Sequence, residues 1–355
     1  MTKGSNDWDT RPIFKDIKPC VFKNGEVVYY LNPNNWNKKE NGSAAVLTGE
    51  DGDVMIEFPK FAYRIYTDEN DCVHVTVSND ETVIAADERF TYDAFSRLEE
   101  GDLDHFYKGA YKGYVDANNK LRSIVGVIPS SSRTIAQFRE TAQANGSHYQ
   151  QSTYAHLKAI QCLYLIKYGN RNGQVALGNG AISGLSAPLI NGFNATSVDV
   201  ISTENSTATL GMCFGDTSDK TKHMRLFGIE DFWGDIWEWI DGLTTDASKN
   251  IIVSWNNFSN EGITATQESI SSGFTRNFSG YPKKVQGESI SGFMPKSLGG
   301  SNTTCWADSA FLYASCGLRF GGDWTSDLFA GPFELGASGA ASHSGSLVGA
   351  RLDFS

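Results

Sequence analysis

The stretch FGIEDFWGDIWEWIDGL, residues 227–243, is the part of the sequence that decides the fold. Its aromatic side chains are too concentrated for a surface loop, because they bury a large apolar area only inside a core. A Gly-Asp turn precedes the alternating run IWEW at residues 236–239, which predicts a strand that enters the core, with Asp235 and Glu238 bonded to nearby loop backbone. A structural core strand is the simpler interpretation, and a sugar-binding platform formed by the Trp side chains is the alternative.

The C-terminal stretch 321–355 is rich in Gly, Ser and Ala and contains no Asn or Lys, although both are plentiful earlier. Its runs GPFELGASG and SHSGSLVG alternate with the period of two that a strand imposes. We expect one chemically uniform set of side chains to point into the fold: Phe333, Leu335, Ala337, Ser342, Ser344 and Ser346. We expect a chemically mixed set to point outward together: Glu334, Gly336, Ser338, His343, Gly345 and Leu347. This split favours a binding surface on a fixed scaffold, and a plain Gly/Ser-rich structural terminus is the alternative.

Composition and charge exclude several classes of partner. The chain has 355 residues and a net charge of -11, which argues against nucleic acid and against anionic membrane surfaces as partners. No apolar run approaches the roughly 20 residues that a membrane-spanning helix needs, so no membrane insertion is expected. The first residues, MTKGSNDWDTRPIF, lack the apolar segment of a classical secretory signal peptide.

The cysteine and histidine patterns predict neither a metal site nor a cofactor. Six Cys and six His residues are scattered without CxxC or HExxH spacing, so free thiols are expected. Cys305 and Cys316 are the closest pair of cysteines and would be the pair to form a bridge in an oxidising compartment. The stretch GGDWTS lacks the Lys and the following helix of a phosphate-binding loop.

Local signals along the chain predict a mixed architecture. The Asn24-Gly25 dipeptide between apolar runs predicts a hairpin, and residues 50–78 predict further strands. Capped amphipathic helices are predicted in SSSRTIAQFRETAQANG and STYAHLKAIQCLYLIKYGN. The Gly-, Ser-, Asn- and Thr-rich segments after residue 170 are expected to form long ordered loops held by Trp side chains. We expect residues 1–49 to form a strand pair or an assembly junction and residues 50–355 to form one ligand-binding domain.

Several of these stretches carry a resemblance to a known family. GDIWEW resembles the GNVWEW element of the formylglycine-generating-enzyme type of C-type lectin fold. GDVMIEFPKFAYRI and the two helical stretches resemble versions of that fold in phage tail and retroelement-associated proteins. GLRFGGDW, AGPF and VGARL are similar to the closing strands of variable proteins of diversity-generating retroelements. The resemblance covers residues 50–355 and implies an α+β, C-type lectin-like fold with a small twisted antiparallel sheet, two helices and long ordered loops.

The resemblance also implies which residues bind. In this family a reverse transcriptase copies a template repeat and mutates its adenines, and Asn codons are the usual targets. Such mutation would explain the missing Asn, and Glu334 would need a Lys or Gln codon as its parent or be fixed. Trp324 lies in GGDW, which is framework in the family, so it is either core or contact. The implied ligand-binding residues of the variable region 321–355 are Asp323, Trp324, Thr325, Ser326, Asp327, Phe329, Glu334, Gly336, Ser338, Gly339, His343, Gly345 and Leu347.

The expected function is ligand or receptor binding without catalysis. The resemblance implies a phage tail-fibre tip, on the virion or another extracellular surface, that recognises a host-cell surface protein or glycan, and a homotrimer would suit such a tip. One alternative is an invariant structural or adhesion protein of the same fold. Another is a formylglycine-generating oxidase, which would need a cysteine pair where only Cys305 and Cys316 lie. The EPN, QPD and WND motifs of calcium-dependent sugar-binding lectins are missing from the sequence.

Overall fold

The computed structural model describes residues 8–97, 100–192, 212–213, 215–255, 258, 267–270, 278–303 and 306–355. Within these residues the protein is mixed and strand-rich, which confirms the broad α+β class. The α-helices are α1 Glu81–Ala85, α2 Ile135–Gln143, α3 Tyr154–Tyr168 and α4 Gly173–Leu177. The strands of the first half are β1 Lys18–Lys23, β2 Glu26–Asn32, β3 Asn35–Lys39, β4 Asp53–Pro59, β5 Ala62–Thr67, β6 Val73–Ser78, β7 His105–Gly109, β8 Tyr114–Val115, β9 Leu121–Arg122 and β10 Tyr149–Gln151. Those of the second half are β11 Arg225–Leu226, β12 Ile229–Glu230, β13 Trp237–Thr245, β14 Ile251–Ser254, β15 Gln267–Ile270, β16 Phe278–Gly280, β17 Pro282–Glu288, β18 Gly292–Leu298, β19 Ala310–Leu312, β20 Gly317–Phe320, β21 Leu335–Gly339, β22 Val348–Gly349 and β23 Leu352–Phe354.

The first sheet has seven strands in the order β10-β23-β7-β4-β1-β2-β3. The predicted hairpin is confirmed: β1 and β2 pair from Lys23 and Glu26, and Asn24 and Gly25 take φ values of 54° and 84° between them. Positive φ at both central residues is the geometry that an Asn-Gly turn allows. β1 also pairs with β4, so the strands of segment 1–49 continue the sheet that residues 50–355 begin. The predicted division at residue 50 therefore crosses a continuous sheet.

The second sheet corrects the expected size and strand direction. Its strands run β15-β14-β13-β20-β21-β19-β16, and β22 pairs with β13. β19 lies parallel to β21 and β22 lies parallel to β13, so the sheet is mixed. Another four strands form β18-β17-β5-β6. The expectation of one small antiparallel sheet was wrong because Gly- and Ser-rich segments that were interpreted as loops supply strands; the finer C-type lectin assignment stays a prediction.

Both predicted helices are confirmed, but Thr134 caps α2 where the preceding Ser residues were expected to do so. The Thr134 hydroxyl oxygen accepts the backbone N–H of Gln137, and Gln137 Oε1 accepts the backbone N–H of Thr134 at 3.0 Å, which together form a capping box. Thr153 caps α3, and Gly169 ends it in the left-handed region at φ 57°. α3 is buried on most sides, including Lys158 and Lys167, rather than amphipathic as expected. Apolar residues are distributed around the whole of α3 rather than along one stripe, which is typical of a buried helix.

The core divides into two clusters of buried side chains. The larger cluster joins β4, α3, the loop around Trp233 and the inner side of the second sheet. The smaller cluster joins β1, α2, Trp237, Trp239 and β23. Among the described cysteines, Cys20, Cys72, Cys162, Cys213 and Cys316 are unbridged, whereas Cys305 lies outside the described residues. In the described part of the chain, no helix has the length and apolar character to cross a membrane.

Candidate functional site

The strand predicted from the aromatic stretch is confirmed as β13, and its Glu238 carries a buried charge. Lys112 Nζ and Arg351 Nε donate to Glu238 Oε1 at 2.9 and 2.8 Å, and Ser152 Oγ donates to Oε2 at 3.2 Å. Burial opposes ionisation, but the charges of Arg351 and Lys112 outweigh it and hold the pKa of Glu238 well below its usual range. Glu238 is therefore bonded to side chains rather than to loop backbone, and it joins β13 to the first sheet. Asp235 behaves as predicted, because its Oδ1 accepts the backbone N–H of Leu189 at 2.7 Å.

Two faces of the second sheet differ in what covers them. Leu318, Phe320, Leu335 and Ala337 point into the larger core cluster. On the opposite side, Trp239 pairs in register with Arg319, Arg319 with Gly336, and Gly336 with Phe311. α2 covers the β13 end of this side, because Ile135 and Phe138 pack with Trp239. We call the remainder, formed by β20, β21, β19 and the loop 340–347, the open face.

Predicted site residues in β21 lie on the open face as expected. Leu335 and Ala337 point inward, while Gly336 and Ser338 point to the other side. A Cβ at Gly336 would lie 3.0 Å from the Trp237 ring. The ring therefore packs over β21 at the position where glycine has no side chain. Ser338 is exposed and accepts a hydrogen bond from Arg319 Nη2 at 2.6 Å. The alternation predicted for this strand is therefore confirmed from Leu335 to Ser338.

The alternation predicted for residues 342–347 is wrong. The loop 340–347 contains turns rather than a strand, since His343 N–H bonds Ala340 C=O at 2.8 Å and Val348 N–H bonds Gly345 C=O at 3.1 Å. Ser342, Ser344 and Ser346, which were expected to point inward, are exposed. They have no apolar group to bury, so nothing holds them on an inner side.

Four predicted residues of this region gather around His343 and Trp237. The exposed His343 ring lies 6.4 Å from the Trp239 ring, and partial burial with the nearby Arg319 charge lowers the pKa of His343. Gly339 and Gly345 flank that imidazole, because Cβ atoms added to them would lie 3.4 Å from its Cγ and 2.9 Å from its Nε2. Leu347 C=O accepts the N–H of Trp237 at 2.9 Å. The loop is thus attached to the sheet through His343 and Leu347.

The predicted residues 323–327 form a separate turn. Asp323 is 3% exposed, and its Oδ1 accepts the backbone N–H and the hydroxyl of Thr325, both at 2.7 Å. Ser326 Oγ accepts the N–H of Asp323 at 3.0 Å. Trp324 is 9% exposed, and its backbone N–H donates to the Asp235 carbonyl oxygen at 3.0 Å, which favours a framework role. Thr325 alone of this set is exposed, and Asp327 forms an ion pair with Lys220.

Phe329 lies at the edge of the open face in an aromatic patch. It is 42% exposed, its ring stacks on Tyr281 at 5.2 Å, and Phe311 approaches it at 6.2 Å. Tyr281 Oη donates to Leu328 C=O at 3.1 Å and fixes the turn that presents Phe329. The sequence interpretation missed Tyr281, Phe311 and Arg319. For Arg319 the signal was present, because Arg between Leu318 and Phe320 in an alternating strand points away from the core.

Glu334 does not lie on the surface, contrary to expectation. It is 1% exposed, and its Oε1 accepts the hydroxyl of Ser309 at 3.1 Å. Its Oε2 has no partner among the described residues. Burial, with the neighbouring Asp308 carboxylate, raises the pKa of Glu334 well above its usual range. Glu334 directly precedes β21, and its carboxyl is covered by the turn at Gly322, so it does not reach the open face.

A cluster of His223, Glu230 and Asp231 has the composition of a metal site. His223 Nδ1 lies 2.6 Å from Asp231 Oδ2, while Glu230 accepts Arg225 Nη2 at 2.7 Å and the N–H of Gly192 at 2.8 Å. Burial opposes a charge on His223, but Asp231 and Glu230 outweigh it and raise the pKa to about 10. With this pKa the imidazole of His223 is protonated at neutral pH and forms an ion pair with Asp231.

An open groove of about 790 Å³ lies elsewhere, lined among others by Tyr66, Tyr92, Asp93 and Trp255. None of the predicted site residues lines this groove. The predicted residues that the structure does bring together are those of the open face and its edge: Phe329, Gly336, Ser338, Gly339, His343, Gly345 and Leu347. A ligand-binding role for these residues stays a prediction, and the open face is the candidate site.

Comparisons with known proteins add a distant likeness. No protein-family model matches the chain, and no curated protein matches it. Among solved structures, the chain is similar to "Major Tropism Determinant M1 Variant" with 10% identity and a TM-score of 0.27, over 87% of this chain and 83% of that one. It is similar to "Major Tropism Determinant I1 Variant" with 11% identity and a TM-score of 0.29, over 99% of this chain and 87% of that one. These values are too low to establish a shared fold.

Proposed function

We propose that this protein binds a molecule on a host-cell surface through its open face, without catalysis. The observation that carries the proposal is that alternate residues of β21 face opposite sides of the second sheet. Leu335 and Ala337 are held in the core, while Gly336 and Ser338 on the same strand meet the open face. Side chains on such a strand are already ordered, so binding costs less conformational entropy there than on a free loop.

We further propose that mutation by a retroelement generates the side chains of this surface. The resemblance described above supports a C-type lectin-like variable protein of a diversity-generating retroelement, in the setting of a phage tail-fibre tip. The exposed residues Thr325, Phe329, Ser338 and His343 are then the positions that mutation changes most freely. Changes at the buried Asp323, Trp324 and Glu334 would disturb packing instead.

Sequencing the DNA that flanks the gene tests diversification. We expect a near-copy of the codons for residues 321–355, with adenine at the exposed positions and a reverse-transcriptase gene nearby. Mismatches at bases other than adenine, or no repeat at all, would leave an invariant binding protein as the better account.

A cell-binding assay tests the open face itself. Phe329→Ala and Ser338→Glu are expected to reduce retention of the labelled protein on host cells by tenfold or more, since both change the exposed surface. Val175→Ala is the matched control, because Val175 is also exposed but lies on α4. Equal retention of all three variants would show that the face is not the binding surface.

The oxidase alternative has weaker support. Burial raises the pKa of the Cys316 thiol, which disfavours the reactive thiolate. Cys305 lies outside the described residues, so the test changes Cys316 alone. We expect Cys316→Ser to leave cell binding unchanged.

A further inference from the structure

We infer that Arg319 on the open face is a binding site for a carboxylate group of the ligand. The inference rests on the proposed function and deepens it, because it names the chemistry that the same face would recognise. Three observations carry it: the lack of an internal counter-ion, the way the guanidinium is held, and the charges around it.

The first observation is that Arg319 makes no ion pair with any residue that the structure describes. It lies on β20 between Leu318 and Phe320, and its Nε is buried without an acceptor. Two fully buried arginines of the described residues differ from Arg319 in having a carboxylate partner. Arg225 contacts Glu230 at 2.7 Å, and Arg351 contacts Glu238 at 2.7 Å. A cation that loses water without gaining a carboxylate partner keeps its full desolvation penalty, which a ligand anion would offset.

The second observation is that the guanidinium is fixed with its tip at the surface. Its carbon lies 5.4 Å from the centre of the Trp237 ring and 5.9 Å from that of Trp239. Nη2 donates to the exposed Ser338 hydroxyl at 2.6 Å. Nη1 makes no hydrogen bond with the described residues, so donors of the planar group remain for a ligand. Two Trp rings and one hydroxyl orient the group before any ligand arrives.

The third observation concerns the groups that face Arg319. His343 is the nearest titratable side chain of the loop, and its lowered pKa leaves it neutral at pH 7. Asp323 and Glu334 act on Arg319 only from a distance, and neither lies within ion-pair range. Burial raises the pKa of Glu334 and so disfavours its charge. Since no described carboxylate lies within ion-pair range of Arg319, none occupies the place of an incoming carboxylate.

A carboxylate suits this geometry better than a single-point acceptor. The planar guanidinium can donate two parallel N–H···O bonds to the two oxygens, and such pairs are about twice as strong as neutral hydrogen bonds. The aromatic patch of Tyr281, Phe311 and Phe329 adjoins the site, since Phe311 and Arg319 flank Gly336 on neighbouring strands. A ligand that carries both an acidic group and an apolar surface would use the two together.

The test is a titration of the ¹⁵N-labelled full chain with sodium acetate, followed by NMR at constant ionic strength in sodium chloride. We expect a saturable shift of the Ser338 amide and the Trp239 indole N–H, and no such shift with acetamide, the neutral isostere. Arg319→Gln should abolish the response, and Arg319→Lys should weaken it several-fold because the planar fork is lost. Arg89→Gln is the matched control, since Arg89 already pairs with Asp87 at 2.6 Å.

An equal response to acetamide, or a response that persists in Arg319→Gln, would overturn the inference. Should Arg319→Gln not fold, Ser338→Ala serves instead, with a predicted few-fold loss of acetate affinity. Glucuronate and N-acetylaspartate then distinguish a saccharide source of the carboxylate from a peptide source, and binding of either supports the site. Cell binding that survives Arg319→Gln would overturn the inference and leave the proposed function standing. Acetate binding without any cell binding would do the reverse.

Discussion

At the scale of the residue, the protein holds two buried glutamates whose pKa values are shifted in opposite directions. Glu238 is ionised because Arg351 and Lys112 outweigh the cost of burial, and its pKa is lowered. Burial and then the nearby Asp308 raise the pKa of Glu334, because both disfavour its charged form. One glutamate therefore stabilises its sheet as an anion, whereas the surroundings of the other oppose its charge.

We expect Glu238→Gln to lower the free energy of unfolding by roughly 3–5 kcal/mol at pH 7, because Lys112 and Arg351 would lose their buried partner. Glu334→Gln is the matched control, and we expect a neutral or stabilising effect there because Gln resembles the protonated acid. Urea denaturation at pH 7 measures both. Equal losses in the two variants would contradict the assigned ionisation states.

The two residues also predict opposite pH dependences. The lowered pKa of Glu238 gives stability that is present above its unfolded pKa of about 4.3 and is lost as the pH falls below that value. The raised pKa of Glu334 makes stability fall as the pH rises from about 4.3 towards its folded pKa, because only the unfolded state releases the proton. Glu334→Gln should remove that decline between pH 4.5 and pH 7, measured by urea denaturation at a series of pH values. A variant with the same pH profile as the wild type would show that Glu334 does not retain its proton.

Gly336 and Ser338 lie two residues apart on the open face but should tolerate change differently. Gly336→Ala would bring a methyl group 3.0 Å from the Trp237 ring, and we expect a loss of about 1–3 kcal/mol with an altered near-ultraviolet circular dichroism spectrum. Ser338→Ala should stay within about 0.5 kcal/mol, because Ser338 is exposed. An unchanged spectrum in Gly336→Ala would mean that Trp237 moves aside freely.

At the scale of the element, the loop 340–347 and the strand β23 should respond very differently to substitution. Ser342, Ser344 and Ser346 are exposed, so replacing all three by Thr should change stability little. Leu352→Ala, at a fully buried position in β23, should cost about 2–5 kcal/mol. Thermal unfolding measures both. A large loss in the triple Thr variant would show that the loop supports the fold.

The elements that could be predicted from the sequence are those with a local physical cause. The Asn24-Gly25 turn, the helical spacing of apolar residues and the Gly169 terminus act within a few residues, so β1, β2, α2 and α3 were predicted, whereas the capping residues Thr134 and Thr153 were not. The parallel pairing of β19 with β21 joins distant segments and leaves no local signal. The Ser alternation of the loop resembled a strand, but a strand needs a partner and an apolar side. Arg319 was not predicted because it lies on β20, before the Gly- and Ser-rich stretch 321–355.

At the scale of the whole molecule, the N-terminal hairpin is part of one continuous sheet and core. β1 pairs with β4 along Lys18 to Phe22, and Val21 and Leu31 are buried in the larger core cluster. Removal of this hairpin would expose the edge of β4 and an apolar side of the sheet. The first sheet and the larger core cluster are therefore continuous across residue 50.

We predict that a fragment of residues 50–355 does not fold alone. Circular dichroism should show no cooperative thermal transition, and limited proteolysis should degrade the fragment rapidly. Addition of a peptide of residues 8–49 is the control, and it should restore a transition. A fragment that melts cooperatively by itself would show that residues 50–355 fold as a domain without the N-terminal segment.

The position of β23 in the first sheet has a consequence for biosynthesis. Residues 352–354 form the strand between β10 and β7, and both of those neighbours are translated far earlier. Until residue 354 has left the ribosome, β7 and β10 each keep an unsatisfied edge, and the Lys108 ammonium and the His156 imidazole have no Asp353 to meet. The first sheet can therefore be completed only after β23 has left the ribosome, long after β7 and β10. Ribosome-stalled chains of increasing length should show protease resistance rising sharply only once the tunnel has released β23.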